Sequence, residues 1–326
     1  MDKKKLRPAL DPAGFWLIGA NPDLGDLNTA RQECVDHHVF PSSDGRWHLW
    51  SCIRGTKVGR VLYHWETAHI SDELWQPTGE WIHADQAAGE SLHDWAGEEW
   101  IQSPYVIHEN GQYYMFYGGH GTGVDADGNP CIEERDSEYL SCNVAMQMCL
   151  MTSPDGRRWT RHKNEKGQSR LFIAPGEVRD PCLLKDGDLW RMYYAGCHGG
   201  RAGIPGMYMR TSTDLIHWSD WKLIHTDMHA PFGGGAWNQE CPHVVKRGGY
   251  YYLFRTENYT TPRTHVFRSE DPENFGVGDA SPYYVGLIRV AAPEIIVDPA
   301  TGDEYITSNH NLKGGTMITR LRWVEA

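Results

Sequence analysis

Basic charge is scarce in this 326-residue chain: 31 Lys and Arg stand against 43 Asp and Glu, a formal net charge of −12. Nucleic-acid modules carry a basic face, so a nucleic-acid partner is excluded and a neutral or weakly charged ligand is expected. No window of about 18 apolar residues exists to span a membrane. The basic start MDKKKLRPALDPAG lacks the apolar stretch of about 7–15 residues that a secretory signal needs. A soluble protein with a cytoplasmic address is expected. The eight cysteines, Cys34, Cys52, Cys131, Cys142, Cys149, Cys182, Cys197 and Cys241, form no CxxC pair and lack the density of a disulfide scaffold. They read as buried thiols. The 17 histidines include no HExxH motif or paired spacing, so zinc is not expected.

Aromatic and turn-forming residues are plentiful. Fourteen Trp, 16 Tyr, 35 Gly and 18 Pro fit many short strands joined by tight loops rather than long helices. An internal repeat organises these strands. Five segments share one residue, usually followed by Pro, then one variable position, two apolar residues, a Gly-containing turn and an aromatic-rich strand. They begin Asp36-His37-His38, Ser103-Pro104-Tyr105, Asp180-Pro181-Cys182, Cys241-Pro242-His243 and Ala292-Pro293-Glu294. A second motif interleaves with the first: ISDELW (70–75), SPDGRRW (153–159), STDLIHW (212–218) and SEDPENF (269–275) each place Ser and Asp before an aromatic.

Each unit carries the hairpin signal. Radial repetition of four-stranded units is how a β-propeller limits exposed sheet edges. The expectation is therefore an all-β, five-bladed β-propeller with a central active-site cavity. It occupies residues 1–326 as one domain, with blades starting near 33, 100, 177, 238 and 290. FWLIG (15–19) is a candidate partner for TMITRLRWV (316–324) in closing the last blade. Residues 83–99 read as a loop or short helix. The polar insertion at 119–141 is long enough to be functional, as a lip over the cavity.

The position before the repeated Pro falls at the mouth of the expected channel, and the five residues there are Asp36, Ser103, Asp180, Cys241 and Ala292, with Glu240 beside Cys241. Three blades thus bring an acid to one place. Carboxylates crowded into a partly dry cavity are costly and seldom kept for structure alone. They suit acid/base chemistry at a glycosidic oxygen, where one carboxylic acid protonates the leaving group and another attacks or activates water. The alternative is that they cap turns or pair with arginines such as Arg179.

This arrangement resembles the five-bladed glycoside hydrolases of families 32, 43, 62 and 68 over nearly the whole chain. Arg179-Asp180-Pro181 is similar to the Arg-Asp-Pro motif of families 32 and 68, and Glu240-Cys241 to the Glu-Cys motif of family 32. The resemblance implies Asp36 as nucleophile or general base, Asp180 as the stabiliser that tunes pKa and holds substrate, and Glu240 as general acid. Two departures stand out. The first-blade Asn-Asp-Pro-Asn-Gly signature of family 32 is absent, with Val35 and His37 flanking Asp36. The C-terminal β-sandwich usual in family 32 is missing too, which looks more like family 43.

Around the acids, Trp100, Gln102 and Ser103 form a sugar-binding wall or, for Trp100, core; Trp237 and Asn238 face the same choice. His38 shares the strand alternation of Asp36 and either touches substrate or packs. Arg179 orients a carboxylate or hydroxyl. Asp125, Asp127, Asn129, Glu133 and Asp136 are spaced loosely like a calcium loop, but the Gly is misplaced and no helices flank them. His310 resembles the channel histidine near which some family 43 members bind calcium, and is otherwise a polar channel residue. No cofactor is required, and a structural calcium is the one metal to consider. The expected activity is an exo-acting glycosidase that releases a terminal fructofuranosyl or arabinofuranosyl unit from a small oligosaccharide. Rival readings are a transglycosylase, a glycoside phosphorylase using Arg179, Arg289 and His310, and a non-catalytic propeller that binds carbohydrate or protein.

Overall fold

Type I′ hairpin turns take positive φ at both of their two central residues, and their twist matches that of the flanking strands. Asn110-Gly111 and Gly248-Gly249 meet this demand, with φ of 51° and 77° in the first and 57° and 83° in the second. Each joins the first two strands of a repeat. The computed structural model describes residues 3–91, 98–122, 144–173, 178–198, 204–227, 239–258, 260–309 and 315–326. Its internal contacts divide the chain into two compact units, Gly19–Pro181 with Gly196–Gly203, and Met1–Ile18 with Cys182–Ala195 and Ile204–Ala326.

The Gly19–Pro181 unit holds the sheets of the first two repeats. The first runs Glu33–Pro41, Trp47–Thr56, Gly59–Thr67 and Gln76–Ile82, all antiparallel. Its second strand is buried along both faces, with Leu49, Cys52 and Ile53 fully covered, while the edge strand Gln76–Ile82 is largely exposed. Pro77 and Gly79 at that edge discourage pairing with another chain. The second sheet runs Glu99–Glu109, Gln112–Thr122 and Val144–Ser153, and two short strands, Thr160–Arg161 and Arg170–Phe172, share its outer edge. One core joins the two sheets: Phe40, Trp50 and Leu62 pack with Ile101, Tyr117 and Met151. A short parallel pairing, Gly59 with Glu99 and Arg60 with Trp100, ties the sheets at one end.

The third sheet opens with Arg179–Asp186 and continues through Leu189–His198, Ile204–Ser212 and Lys222–His225. The fourth runs Glu240–Arg247, Tyr250–Asn258, Arg263–Ser269 and Tyr284–Ile288. The fifth is composite. Ile295–Val297, Glu304–Asn309 and Thr316–Glu325 come from the C-terminal repeat, and Leu6–Leu10 pairs with the last of these from Leu6 opposite Glu325 to Leu10 opposite Leu321. Trp16–Gly19 also pairs with Thr316–Glu325, as the sequence predicts. Tyr252, Phe254, Ile288, Ile306 and Leu321 form a core between the fourth and fifth sheets.

The second motif has a local cause. Ser153, Ser212 and Ser269 end the third strands of their sheets. Each hydroxyl accepts from a backbone N–H of the turn, as in Gly156 N to Ser153 Oγ at 2.9 Å and Leu215 N to Ser212 Oγ at 2.9 Å. The Asp then accepts further backbone donors, as Asp155 does from Arg157 at 3.0 Å and Arg158 at 2.9 Å. Such side-chain turns compete with strand continuation and stop it. The aromatic that follows is buried in Trp75, at 2% exposure, and in Phe275, at 0%. In the 83–99 stretch, Gln86–Ala88 forms one 3-10 turn capped by Asp85, and residues 92–97 lie outside the described residues. So does most of the predicted insertion, from 123 onward.

Candidate active site

A non-glycine residue with positive φ is uncommon and costs free energy unless its surroundings enforce it. All five residues aligned by the repeat adopt this conformation: Asp36 at 38°, Ser103 at 53°, Asp180 at 59°, Cys241 at 49° and Ala292 at 47°. The strand register shifts at three of them, between Val35 and His37, Gln102 and Tyr105, and Glu240 and His243. These are β-bulges, which turn one side chain out of the alternating pattern and recur beside active sites. The same distortion at the same place in each repeat gives the repeat a purpose beyond packing.

In the Gly19–Pro181 unit three of these side chains converge. The Ser103 hydroxyl lies 3.1 Å from Asp36 Oδ2 and 2.7 Å from Asp180 Oδ1. Carboxylate oxygens of Asp36 and Asp180 approach within 4.8 Å. One hydroxyl proton thus serves two acceptors, donating to one at a time and fixing the spacing of both. Ser103 and Asp180 are buried, whereas Asp36 is half-buried and is the more approachable acid. The Arg179 guanidinium, itself buried, stands 3.7 Å from Asp180 Oδ2. Cys52 lies near both acids, and burial pushes its thiol up to about 12. It stays a neutral thiol, which removes it as a nucleophile. The acid pair is close enough to share a cation, but the Ser103 hydroxyl stands between them and Arg179 already supplies positive charge.

The flanking side chains sort themselves by contact. Gln102 is buried and accepts from Trp100 Nε1 at 3.1 Å. Trp100 carries the Arg60 guanidinium 3.9 Å from its ring centroid, and the His120 imidazole is stacked at 4.2 Å and 10°. Two planar groups at those distances must occupy opposite faces. Both faces of Trp100 are therefore covered, and any sugar contact is left to its edge. His38 is buried with its ring centroid 4.1 Å from that of Tyr105. The bulge at Asp36 breaks the alternation on which the sequence argument for His38 rested. Glu240 is half-buried in the other unit, where it opens the strand Glu240–Arg247 opposite Thr256, one residue before the bulge at Cys241. Trp237, Asn238 and His310 lie outside the described residues, as do Asp125, Asp127, Asn129, Glu133 and Asp136.

No family model and no curated protein sequence matches the chain. Solved structures do. A thermostable family-43 glycoside hydrolase aligns over 92% of each chain with a TM-score of 0.57 at 16% identity. A GH43 β-xylosidase/α-arabinofuranosidase from a compost microbial metagenome, crystallised with xylotriose, covers 92% of this chain and 94% of its own with a TM-score of 0.58 at 15% identity. The α-L-arabinanase of Cellvibrio cellulosa covers 90% and 91% with a TM-score of 0.55 at 14% identity.

The fold is a five-bladed β-propeller.

In this propeller the five repeats are the blades, and Asp36, Ser103 and Asp180 are the residues that the first three blades turn out of their inner strands. At these identities the likeness carries the fold and no more. The similar structures are family 43 enzymes, and the family 32 motif match receives no support from them. Sequence reasoning missed Arg60 and His120. Arg60 follows a turn with no motif of its own and reaches Trp100 only because the two sheets pair in parallel there.

Proposed function

We propose that this propeller is an exo-acting glycoside hydrolase that removes a terminal furanosyl unit, arabinofuranosyl before fructofuranosyl, from a small oligosaccharide. The observation that carries this reading is the pair of acids, Asp36 and Asp180, held at fixed spacing by the hydroxyl of Ser103. Asp36, the accessible member, attacks the anomeric carbon or activates the water that does so. Asp180, buried between Ser103 and Arg179, orients Asp36 and binds substrate hydroxyls. Glu240 is assigned as the general acid on the strength of its place beside Cys241, the positive-φ residue of the fourth repeat.

Three things support these assignments: the bulge geometry, the similarity of Arg179-Asp180-Pro181 and Glu240-Cys241 to motifs of propeller glycosidases, and the likeness to family 43 folds. Arabinofuranosyl is preferred because the similar structures include an α-L-arabinanase, an α-L-arabinofuranosidase and a β-xylosidase/α-arabinofuranosidase.

The test is sugar release from a panel of arabinofuranosides, fructosides and xylosides by the wild type and by Asp36→Asn, Asp180→Asn and Glu240→Gln. Each variant is expected to lose about 10²–10⁴-fold in kcat with folding intact. Undiminished turnover in Asp36→Asn or Glu240→Gln would overturn the assignment. The anomeric configuration of the first product, read by NMR, decides whether Asp36 attacks the anomeric carbon or takes a proton from the water that does.

A further inference from the structure

Arg60 is held in place by backbone geometry. Gly59 has a φ of +109°, and a Cβ there would lie 2.3 Å from the Glu99 carbonyl oxygen, so only glycine lets the two strands meet. That approach sets Arg60 opposite Trp100 in parallel register. The guanidinium then lies 3.9 Å from the Trp100 ring centroid, and His120 backs the indole from the other side. Stacking of this kind fixes the plane of the guanidinium while leaving its edge available.

The edge is unspent. Among the described residues Arg60 donates no hydrogen bond and forms no ion pair. Other arginines of the same unit behave differently. Arg54 meets Glu33 at 2.6 Å, Arg157 meets Glu80 at 3.2 Å and Arg161 meets Glu90 at 3.0 Å. A half-buried guanidinium that stacks on an indole and meets no acceptor among the described residues keeps its N–H donors open to a ligand. Burial pulls its pKa below the usual arginine range, opposed by Cys52 and by Asp36, which lies within electrostatic reach. The cation and the candidate catalytic acid thus lie within electrostatic reach of each other in the same unit. A neutral sugar hydroxyl would accept one of its N–H groups and leave the charge uncompensated. A carboxylate or phosphate would take two in parallel and neutralise it.

We propose that Arg60, held flat on Trp100 with its donor edge open, is the receptor for an oxyanion, either the carboxylate of an acidic sugar or inorganic phosphate. The inference rests on reading the acid pair as part of a sugar site, but its test does not depend on turnover.

Isothermal titration of the full chain with galacturonate, glucuronate, inorganic phosphate, and neutral galactose, xylose and arabinose reads binding directly. Wild type, Arg60→Gln and Arg60→Lys are compared, with near-ultraviolet dichroism confirming the fold. At least one oxyanion is expected to bind the wild type, to weaken about tenfold or more in Arg60→Gln, and to weaken less in Arg60→Lys. Neutral sugars should bind all three proteins alike. Binding of the sugar acids alone identifies an acidic glycoside as the ligand, and binding of phosphate alone identifies phosphate. The proposal fails if no oxyanion binds the wild type, or if Arg60→Gln binds as well as the wild type. If Arg60→Gln does not fold, equal binding in Arg60→Lys and wild type overturns it. Failure of the glycosidase reading shows separately, as absence of sugar release with oxyanion binding intact.

Discussion

A single hydroxyl sets the spacing of the acid pair. Asp36 and Asp180 were legible because the repeat aligns them; the bridging role of Ser103 was not, since alignment reveals a position and not a hydrogen bond. Ser103→Gly should separate its two functions. Glycine relieves the strain of a φ of 53° but removes the bonds to both acids. We expect kcat to fall by about 10–100-fold with little loss of stability, because the backbone gain offsets the lost contacts. Unchanged kcat would assign Ser103 a packing role only. A second residue-scale expectation concerns acid. His48 Nδ1 and His64 Nε2 lie 2.9 Å apart, and His64 Nδ1 lies 3.0 Å from Thr78 Oγ1. Burial holds His64 down at about 2 and lowers His48 as well, despite Asp44 and Glu66 nearby, with Arg157 adding to the effect. The unfolded chain binds these protons near pH 6.5 and the native state resists them. Their stabilising contribution is therefore full above about pH 6.5 and is lost as pH falls from there towards about 2. Thermal midpoints measured between pH 7 and 4 should fall with acid, and less steeply in His64→Gln. His225, held at about 3 by burial, keeps the variant from becoming flat.

At the scale of the element, the inner strands repay attention for their defects. A strand with perfect alternation would send the residue before the repeated Pro to the same face as its neighbours two places away. The left-handed backbone at that position frees it, and so five repeats turn five residues out of the pattern without disturbing the packing of Phe40, Val106, Leu183, Val245 and Ile296 further along. Strand pairs were readable because their turns carry Asn-Gly, Gly-Gly and Asp-Gly. Bulges were not, since nothing in Asp36-His37 or Ser103-Pro104 announces a positive φ. The outer edges were equally obscure: the second blade divides its edge between Thr160–Arg161 and Arg170–Phe172, too short for any periodicity. Gly59→Ala tests the junction between the first two sheets. A Cβ 2.3 Å from a backbone oxygen, at a φ of +109°, has no flexible neighbour to yield. Urea unfolding should show a loss of about 2–4 kcal/mol. The Arg60–Trp100 stack should loosen with it, detectable as a change in Trp fluorescence. A loss below about 0.5 kcal/mol, within the range of an ordinary surface change, would mean the strands can part without cost.

Across the whole molecule, the count of blades came from repetition alone, and the similar solved structures agree with it. The closing strand did not. Leu6–Leu10 contains Arg7 and Pro8 and lacks β-branched residues, so propensity gives no hint that it pairs with Leu321–Glu325. Proline is tolerated there because the strand lies at a sheet edge. Removing residues 1–10 should strip the fifth sheet of this strand and uncover Thr316–Glu325 as a bare edge. The expected outcome is a thermal midpoint lower by several degrees and concentration-dependent aggregation, followed by light scattering. An unchanged midpoint would show that Trp16–Gly19 suffices. The pairing of Leu6 with Glu325 also dictates a schedule. Within this propeller the ribosome makes Leu6–Leu10 before the other strands and Thr316–Glu325 after them, so Leu6–Leu10 waits without its partner while the intervening blades are synthesised. During that interval Leu6 and Leu10 are available to chaperones, and Leu6–Leu10 takes its place in the sheet only once Thr316–Glu325 has been made.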